Sequence, residues 1–252
     1  MAAIFPSLIS ADLLSLGATI NELSPYCTGY HIDVMDGHFV PSITWGDPFI
    51  KAIRKATNAP LWVHLMVDNP AICIQSLMQS SDTLGNTIIT FHLEPFLIAH
   101  EIVHVPNQNT CMTYANSHIQ KVLDLAHSIR KNGQRPSIAL NPFTPVNYLF
   151  PLMPTIDHVL IMSVHPGKSG QCFLSETDTK IKALVDYIQT HDISISIGVD
   201  GGITHEHCAR LAALGVEHFA AAAAIFHTAD PLHALKELQN IPQKVLHTDV
   251  EN

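Results

Sequence analysis

The sequence predicts an α/β fold, a single (β/α)8 TIM barrel, and three observations carry that prediction. Short apolar, β-branched runs alternate with longer segments of helical period along the chain. The repeat is roughly 30 residues, the size of one strand-plus-helix unit. Eight strand-like runs can be placed, nearly continuous in apolar residues, as strands are when a parallel sheet is covered by helices. The 252 residues suit one such barrel, which commonly takes about 250. A doubly wound open sheet is the rival, but it normally has fewer strands, and no G-x-G-x-x-G follows the first one here.

Taken in order, the first strand is expected at Ile4–Ser7 and the first helix at Asp12–Leu23. The second strand, Tyr30–Val34, precedes a helix over Pro48–Ala56, whose start is marked by a capping type followed by proline, Asp47-Pro48. The third strand, Leu61–Leu65, leads to a helix over Pro70–Gln79 behind Asn69-Pro70. Thr87–Phe91 is the fourth strand, Ser117–Lys131 its helix, and Ser137–Leu140 the fifth strand. His158–Met162 and a helix over Glu176–Gln189 form the sixth unit. The seventh pairs Ile193–Val199 with a helix over His205–Leu214, for which Thr204, three residues before His207, is the cap. Glu217–Ala220 and Pro231–Leu238 complete the eighth. No linker or composition shift marks a second domain, so the barrel is expected over residues 1–240 with a C-terminal tail at 241–252. One connection is out of proportion. Residues 95–116 separate the fourth strand from its helix, and Phe96–Val105 within them reads either as a short extra helix or as part of a mobile lid.

Composition narrows the function. Apolar residues make up 47% and charged residues 14%, which excludes a disordered chain. Lys plus Arg is 13 against 22 Asp plus Glu, a formal charge of −9 with no basic block. Neither nucleic acid nor an anionic membrane is therefore an expected partner. The N-terminus has no basic region and reaches Pro6 early, so no signal peptide is read, and no apolar run is long enough to span a bilayer. Five widely spaced cysteines without a C-x-x-C pair suggest neither a disulfide framework nor a thiolate zinc site. The expected location is cytoplasmic. Most of the 17 histidines, such as His100, His104, His118, His127 and His191, lie among polar residues or near helix ends and read as structural or solvated.

Three clusters stand apart. His31, Asp33 and Met35 fall at i, i+2 and i+4 of the second strand, so their side chains share one side of it. His64 and Met66 repeat this in the third strand, and Asp200 precedes Gly201 and Gly202 at the end of the seventh. Catalytic groups in such barrels gather where strands end in βα loops. Two imidazoles and two carboxylates from three strands make an N2O2 set for one divalent metal. The alternative is that polar barrel residues merely satisfy one another.

These residues also carry a resemblance. Pro6-Ser7-Leu8-Ile9-Ser10-Ala11-Asp12, His31 to Pro41, Val63-His64-Leu65-Met66-Val67 and Val199-Asp200-Gly201-Gly202-Ile203 resemble the signature segments of ribulose-phosphate 3-epimerases. Further matches at Thr90 to Glu94, Leu140-Asn141-Pro142 and Ile161 to Val164 extend it from about Phe5 to Pro231. The resemblance implies a (β/α)8 barrel that interconverts D-ribulose 5-phosphate and D-xylulose 5-phosphate with a bound divalent metal. It implies His31, Asp33, His64 and Asp200 as ligands, Asp33 and Asp200 also as the acid/base pair, and Ser7 and His64 as substrate contacts. Met35, Met66 and Met162 match thioethers packed on the reacting centre. The metal could be Zn2+, Fe2+, Mn2+ or Co2+, since imidazole and carboxylate accept all four.

The phosphate end departs from the pattern. Gly201 and Gly202 fit it, but Ala222-Ala223-Ala224-Ile225 stands where the family usually has Gly-Ser-Ala-Ile. Backbone donors survive that change and a hydroxyl donor does not. After the sixth strand, Gly167-Lys168-Ser169-Gly170 replaces the usual Gly-Phe-Gly-Gly, so that Lys168 supplies a charge and Ser169 a hydroxyl to the phosphate, or the lysine is a solvated loop residue. The expected partner is a small-molecule sugar phosphate, with a homo-oligomer left open. Other functions in play are epimerisation of a six-carbon ketose phosphate such as allulose 6-phosphate, a non-catalytic sugar-phosphate-binding barrel, and a tryptophan- or histidine-pathway barrel. The last does not account for the His/Asp set.

Overall fold

A computed structural model of the chain describes residues 1–79, 85–97 and 116–243. Eight strands form one sheet: β1 (Ala3–Pro6), β2 (Tyr30–Met35), β3 (Leu61–Met66), β4 (Thr87–His92), β5 (Arg135–Leu140), β6 (His158–Met162), β7 (Ser196–Asp200) and β8 (His218–Ala221). They run in the order β1-β8-β7-β6-β5-β4-β3-β2 with every neighbour parallel. A parallel bridge from Ser7 to His31 brings the end of β1 back to β2 and closes the (β/α)8 barrel. Around it lie α1 (Leu16–Leu23), α2 (Asp47–Ala56), α3 (Pro70–Met78), α4 (Asn116–Lys131), α5 (Glu176–Thr190), α6 (His205–Leu214), the short α7 (Ala223–Phe226) and α8 (Pro231–Gln239).

Most boundaries agree with the sequence reading to within two residues, and the departures have local causes. α1 begins at Leu16 rather than Asp12, because the Asp12 carboxylate accepts the Leu14 N–H (3.0 Å) and the Ser15 hydroxyl (2.7 Å) and turns the chain ahead of the helix. Gly46, not Asp47, is the cap of α2; Asp47 lies inside the first turn and pairs with Lys51 Nζ at 2.7 Å. Asn69 caps α3 without a side-chain bond, whereas Thr204 accepts the His207 N–H as expected. β7 starts at Ser196, three residues later than Ile193. The fifth unit, for which no helix was expected, carries a 3-10 helix over Val146–Thr155, and Pro151 and Pro154 inside it have no N–H to donate to an α-helical ladder. After β4 the chain makes one 3-10 turn at Glu94–Phe96. The rest of the expected loop or extra helix, with His100, His104 and Cys111, lies outside the described residues, as does the tail from residue 244. Cys27, Cys73, Cys172 and Cys208 are free thiols. Among the described residues no helix is long and apolar enough to cross a membrane.

Strand alternation builds two cores. Outward residues such as Ile32, Val63, Phe91, Ile161 and Val199 pack under the helices, while Phe5, Trp62, Ile88, Ala139, Leu160 and Ala220 fill the barrel interior. Trp62 is the largest of the fully buried side chains. Its ring stands edge-on to His31 (4.6 Å between centroids) and His158 (4.8 Å), and its Nε1–H reaches Thr90 Oγ1 at 2.9 Å. Room for it comes from Gly198, where a Cβ would sit 2.5 Å from the indole and 2.6 Å from His158 Nε2. Near this apolar plug, further inward positions turn polar: Ser7, His31, Asp33, His64 and His92 are all buried there.

Candidate active site

Period-two alternation aims His31 and Asp33 of β2, His64 of β3 and Asp200 at the end of β7 at one point. His31 Nε2 lies 3.1 Å from Asp33 Oδ1 and 3.6 Å from Asp200 Oδ2. His64 Nδ1 lies 3.2 Å from Asp33 Oδ1 and 3.4 Å from Asp200 Oδ2. The four donor atoms fall within 4.8 Å of one another, and the set could hold a metal ion. The spacing suits one. Ligands about 2.1 Å from a cation are separated by roughly 3.0 Å at right angles and 3.4 Å in a tetrahedron. Two carboxylates converging in a buried site are costly unless positive charge lies between them.

The electrostatics reflect that crowding. Burial alone would push the His31 imidazole down, yet Asp33 and Asp200 beside it hold it up at about 10. Burial and the two aspartates oppose one another in the same way at His64, whose value also ends above the ordinary one. Asp33 is held well below the usual carboxylate range, its burial outweighed by His31 and His64. Asp200 is also lowered, but burial and the charge of Asp33 both push it up against the two imidazoles.

Backbone anchors fix the carboxylates. Ser7 donates its hydroxyl to Asp33 Oδ2 at 2.8 Å, and its N–H ties β1 to the Ala221 carbonyl. Thr44 accepts the Met35 N–H (2.9 Å) and donates to the Asp33 carbonyl (2.8 Å). Ser163, just past β6, donates both N–H and hydroxyl to the Asp200 carbonyl, each at 2.9 Å, and its hydroxyl also lies on the Gly201 carbonyl. Asp36, the second acid of the His31–Pro41 segment, has a loop role: it accepts the N–H groups of His38, Phe39 and Asp68.

Asp33 and Asp200 open into a cavity of about 340 Å³ at the ends of the strands. Ser7, Met35, Met66 and Met162 line its deep part, together with Ala220. At the other end are Gly167, Lys168, Ser169 and Gly170 from the loop after β6, Gly201 and Gly202 after β7, and Ala222 and Ala223 after β8. His31 and His64 are not on its wall; they are fully buried beneath the carboxylates. Gly201 and Gly202 have positive φ of 115° and 62°, and a Cβ on Gly202 would meet the Gln171 carbonyl and Phe173 N–H at 2.8 Å, so this approach of two loops requires glycine. Lys168 is exposed at the rim, and the loop that bears it is tied across the mouth by Ser10 to Ser169 (2.7 Å) and by Ser42 to the Gly167 carbonyl (2.7 Å).

Two members of the polar network escaped the sequence reading. His92 Nε2 lies 2.9 Å from His64 Nε2, and His92 Nδ1 lies 3.0 Å from Glu94 Oε2. Burial lowers the His92 imidazole, while Glu94, for all its burial, is held below its ordinary value by His92, Thr144 and the Asn141 N–H. The sequence signal was the Thr90 to Glu94 match, in which His92 and Glu94 follow Thr90 at period two; that His92 meets His64 comes from the β3–β4 register, which pairs His64 with Thr90.

The family model described as the Ribulose-phosphate 3 epimerase family matches residues 3–226. A ribulose-phosphate 3-epimerase of Treponema pallidum (strain Nichols) is 37% identical over 199 residues, 79% of each chain. That of Escherichia coli (strain K12) is 33% identical over 246 residues, 97% of each chain. Among solved structures, 3-hexulose-6-phosphate synthase from Salmonella typhimurium superposes with a TM-score of 0.61 over 96% of this chain and 98% of its own, at 15% identity, a likeness of fold alone.

Proposed function

Since the chain belongs to the ribulose-phosphate 3-epimerase family, we propose that it interconverts D-ribulose 5-phosphate and D-xylulose 5-phosphate through a C2–C3 enediolate. The observation that carries this reading is the convergence of two buried carboxylates, Asp33 and Asp200, with two imidazoles on the floor of a cavity large enough for a sugar phosphate. Epimerisation needs a proton removed from one face of C3 and another returned to the opposite face. Asp33 and Asp200 take these two roles, and either serves as base according to the direction of reaction. Of the two, Asp200 is the one on which burial and the charge of Asp33 both work against ionisation, while the two imidazoles still hold it below its ordinary value. Ser7 holds Asp33 by its Oδ2, which keeps the carboxylate oriented.

His31, Asp33, His64 and Asp200 would hold a divalent cation, Zn2+, Fe2+, Mn2+ or Co2+. When bound, it supplies Lewis-acid stabilisation of charge developing on the C2 and C3 oxygens. Met35, Met66 and Met162 cover the reacting carbons with apolar, adaptable surface and keep water from the carbanionic centre. At the far end, the backbone N–H groups of the Gly201-Gly202 and Ala222-Ala223 loops receive the phosphate, and Lys168 adds a charged donor in place of the missing serine hydroxyl.

The test is turnover by purified protein of ribulose 5-phosphate and of allulose 6-phosphate, with product identified by NMR. The pentose phosphate is expected to have the higher kcat/KM. Preference for the six-carbon substrate would reassign the pocket, and turnover of neither would favour a binding barrel.

A further inference from the structure

We propose that Glu94 and His92 are positioning residues for this centre, a relay that keeps a proton on His64 Nε2 and so turns the His64 Nδ1 lone pair toward Asp33 and Asp200. The inference rests on the metal-site reading above. A continuous run of hydrogen bonds links Glu94, His92 and His64.

The end that fixes the direction is Glu94. Its Oε1 accepts the Asn141 N–H at 2.7 Å and the Thr144 hydroxyl. A backbone N–H can only donate, so that oxygen must be an acceptor. Lys180 donates to the Asn141 carbonyl at 2.6 Å and places a cation near the same carboxylate. The other oxygen, Oε2, faces His92 Nδ1 at 3.0 Å, and an acceptor there draws the imidazole proton to Nδ1. A neutral His92 then presents a lone pair at Nε2. His64 Nε2 lies 2.9 Å away, and two facing ring nitrogens at that distance share one proton, which must come from His64. With a proton kept on Nε2, Nδ1 is the ring nitrogen left to give its lone pair to a cation, and it lies 3.2 Å from Asp33 and 3.4 Å from Asp200, the carboxylates that would share that cation.

The neighbouring imidazole gives the contrast. His31 Nδ1 is buried and, among the described residues, has no hydrogen-bond partner, so no acceptor holds a proton on the nitrogen turned away from the carboxylates. The two ligand histidines are therefore unequal, and the one on β3 is wired to the loops after β4 and β5.

A near-isosteric variant separates this role from simple packing. In Glu94→Gln the amide has one acceptor. The fixed Asn141 N–H claims it, so the NH2 faces His92 Nδ1, draws the His92 proton to Nε2 and reverses the relay. The experiment measures Zn2+ affinity by competition with a chelator, and reads imidazole protonation from long-range 1H–15N spectra of the 15N-labelled, chelator-treated protein. Wild type is expected to keep hydrogen on His64 Nε2 and on His92 Nδ1. Glu94→Gln should move the His92 proton to Nε2 and lower Zn2+ affinity roughly 10- to 100-fold, as loss of an outer partner of a metal ligand does. Glu94→Ala should weaken Zn2+ binding without imposing the reversed tautomer. Unchanged affinity and unchanged tautomers in Glu94→Gln would overturn the relay, as would a wild-type His64 without hydrogen on Nε2. The wild-type spectrum decides even if a variant fails to fold. Absence of Zn2+ binding by wild type would defeat the metal reading instead, and the spectrum would still judge the relay.

Discussion

Replacing Asp200 by Asn probes the proposed acid/base pair with little change of shape. The backbone of Asp200 is held by Ser163 through bonds that the substitution does not touch, so the end of β7 stays in place. What is lost is one negative charge, 3.6 Å from His31 Nε2 and 3.4 Å from His64 Nδ1, and the ability to carry a proton to and from C3. A positioned general acid or base contributes about 10²- to 10⁴-fold, or roughly 3–5 kcal/mol of transition-state stabilisation. Epimerisation should fall by that factor. Asp33, still clamped by Ser7, should continue to exchange the C3 proton of one epimer with solvent. The assay is 1H NMR in D2O on each epimer separately, with bound metal quantified in the same sample. Deuterium is expected at C3 of one epimer and not the other. Epimerisation close to the wild-type rate would refute the pair, and so would wash-in at equal rates into both epimers. Loss of exchange from both epimers in a variant with full metal content would refute the division of labour between the two carboxylates.

Lys168→Ala should raise KM for ribulose 5-phosphate roughly 5- to 100-fold with kcat near wild type, as expected for a charged contact to a non-reacting phosphate; unaltered steady-state kinetics would make it a solvated rim residue. Gly198→Ala should destabilise the barrel by about 1–3 kcal/mol, because the new methyl lands within 2.6 Å of Trp62 and His158; urea unfolding with an unchanged midpoint would show that the plug beneath the site is slack. At the opposite end of the barrel, burial pushes His218 down to about 4, against about 6.5 in an unfolded chain. The unfolded state then binds more protons between these values, so stability rises with pH across that window and about 3 kcal/mol is lost as pH falls through it. His218→Gln should flatten that limb of the stability profile, and an unchanged slope would contradict the assignment.

Much of this architecture is legible in the sequence because barrel strands obey two strict periods. Inward positions two apart on β2 put His31, Asp33 and Met35 together, and the same rule placed His64 with Met66. The alternation cannot say which strands meet. His92 joined the site only through the β3–β4 register, and Glu94 only through a turn that bends it back onto the His92 ring. The ties from Ser10 to Ser169 and from Ser42 to Gly167 span 159 and 125 residues, separations at which spacing carries no information. Helix starts were less legible than helices. Asp12 and Asp47 are cap types, yet one closes a turn ahead of its helix and the other pairs with a lysine inside it. Proline frequency over residues 146–155 was a visible sign that the fifth unit would lack an α-helix.

The central claim is that His31, Asp33, His64 and Asp200 hold one divalent cation on which epimerisation depends. The most direct measurement titrates metal into chelator-treated protein while bound metal and conversion of ribulose 5-phosphate are followed on the same samples, for wild type and for His64→Ala. The account predicts that wild-type activity rises in proportion to bound metal and saturates at one ion per chain, and that His64→Ala stays folded but binds little metal and turns over little substrate. Full activity in protein stripped of metal, or in His64→Ala without bound metal, would contradict it.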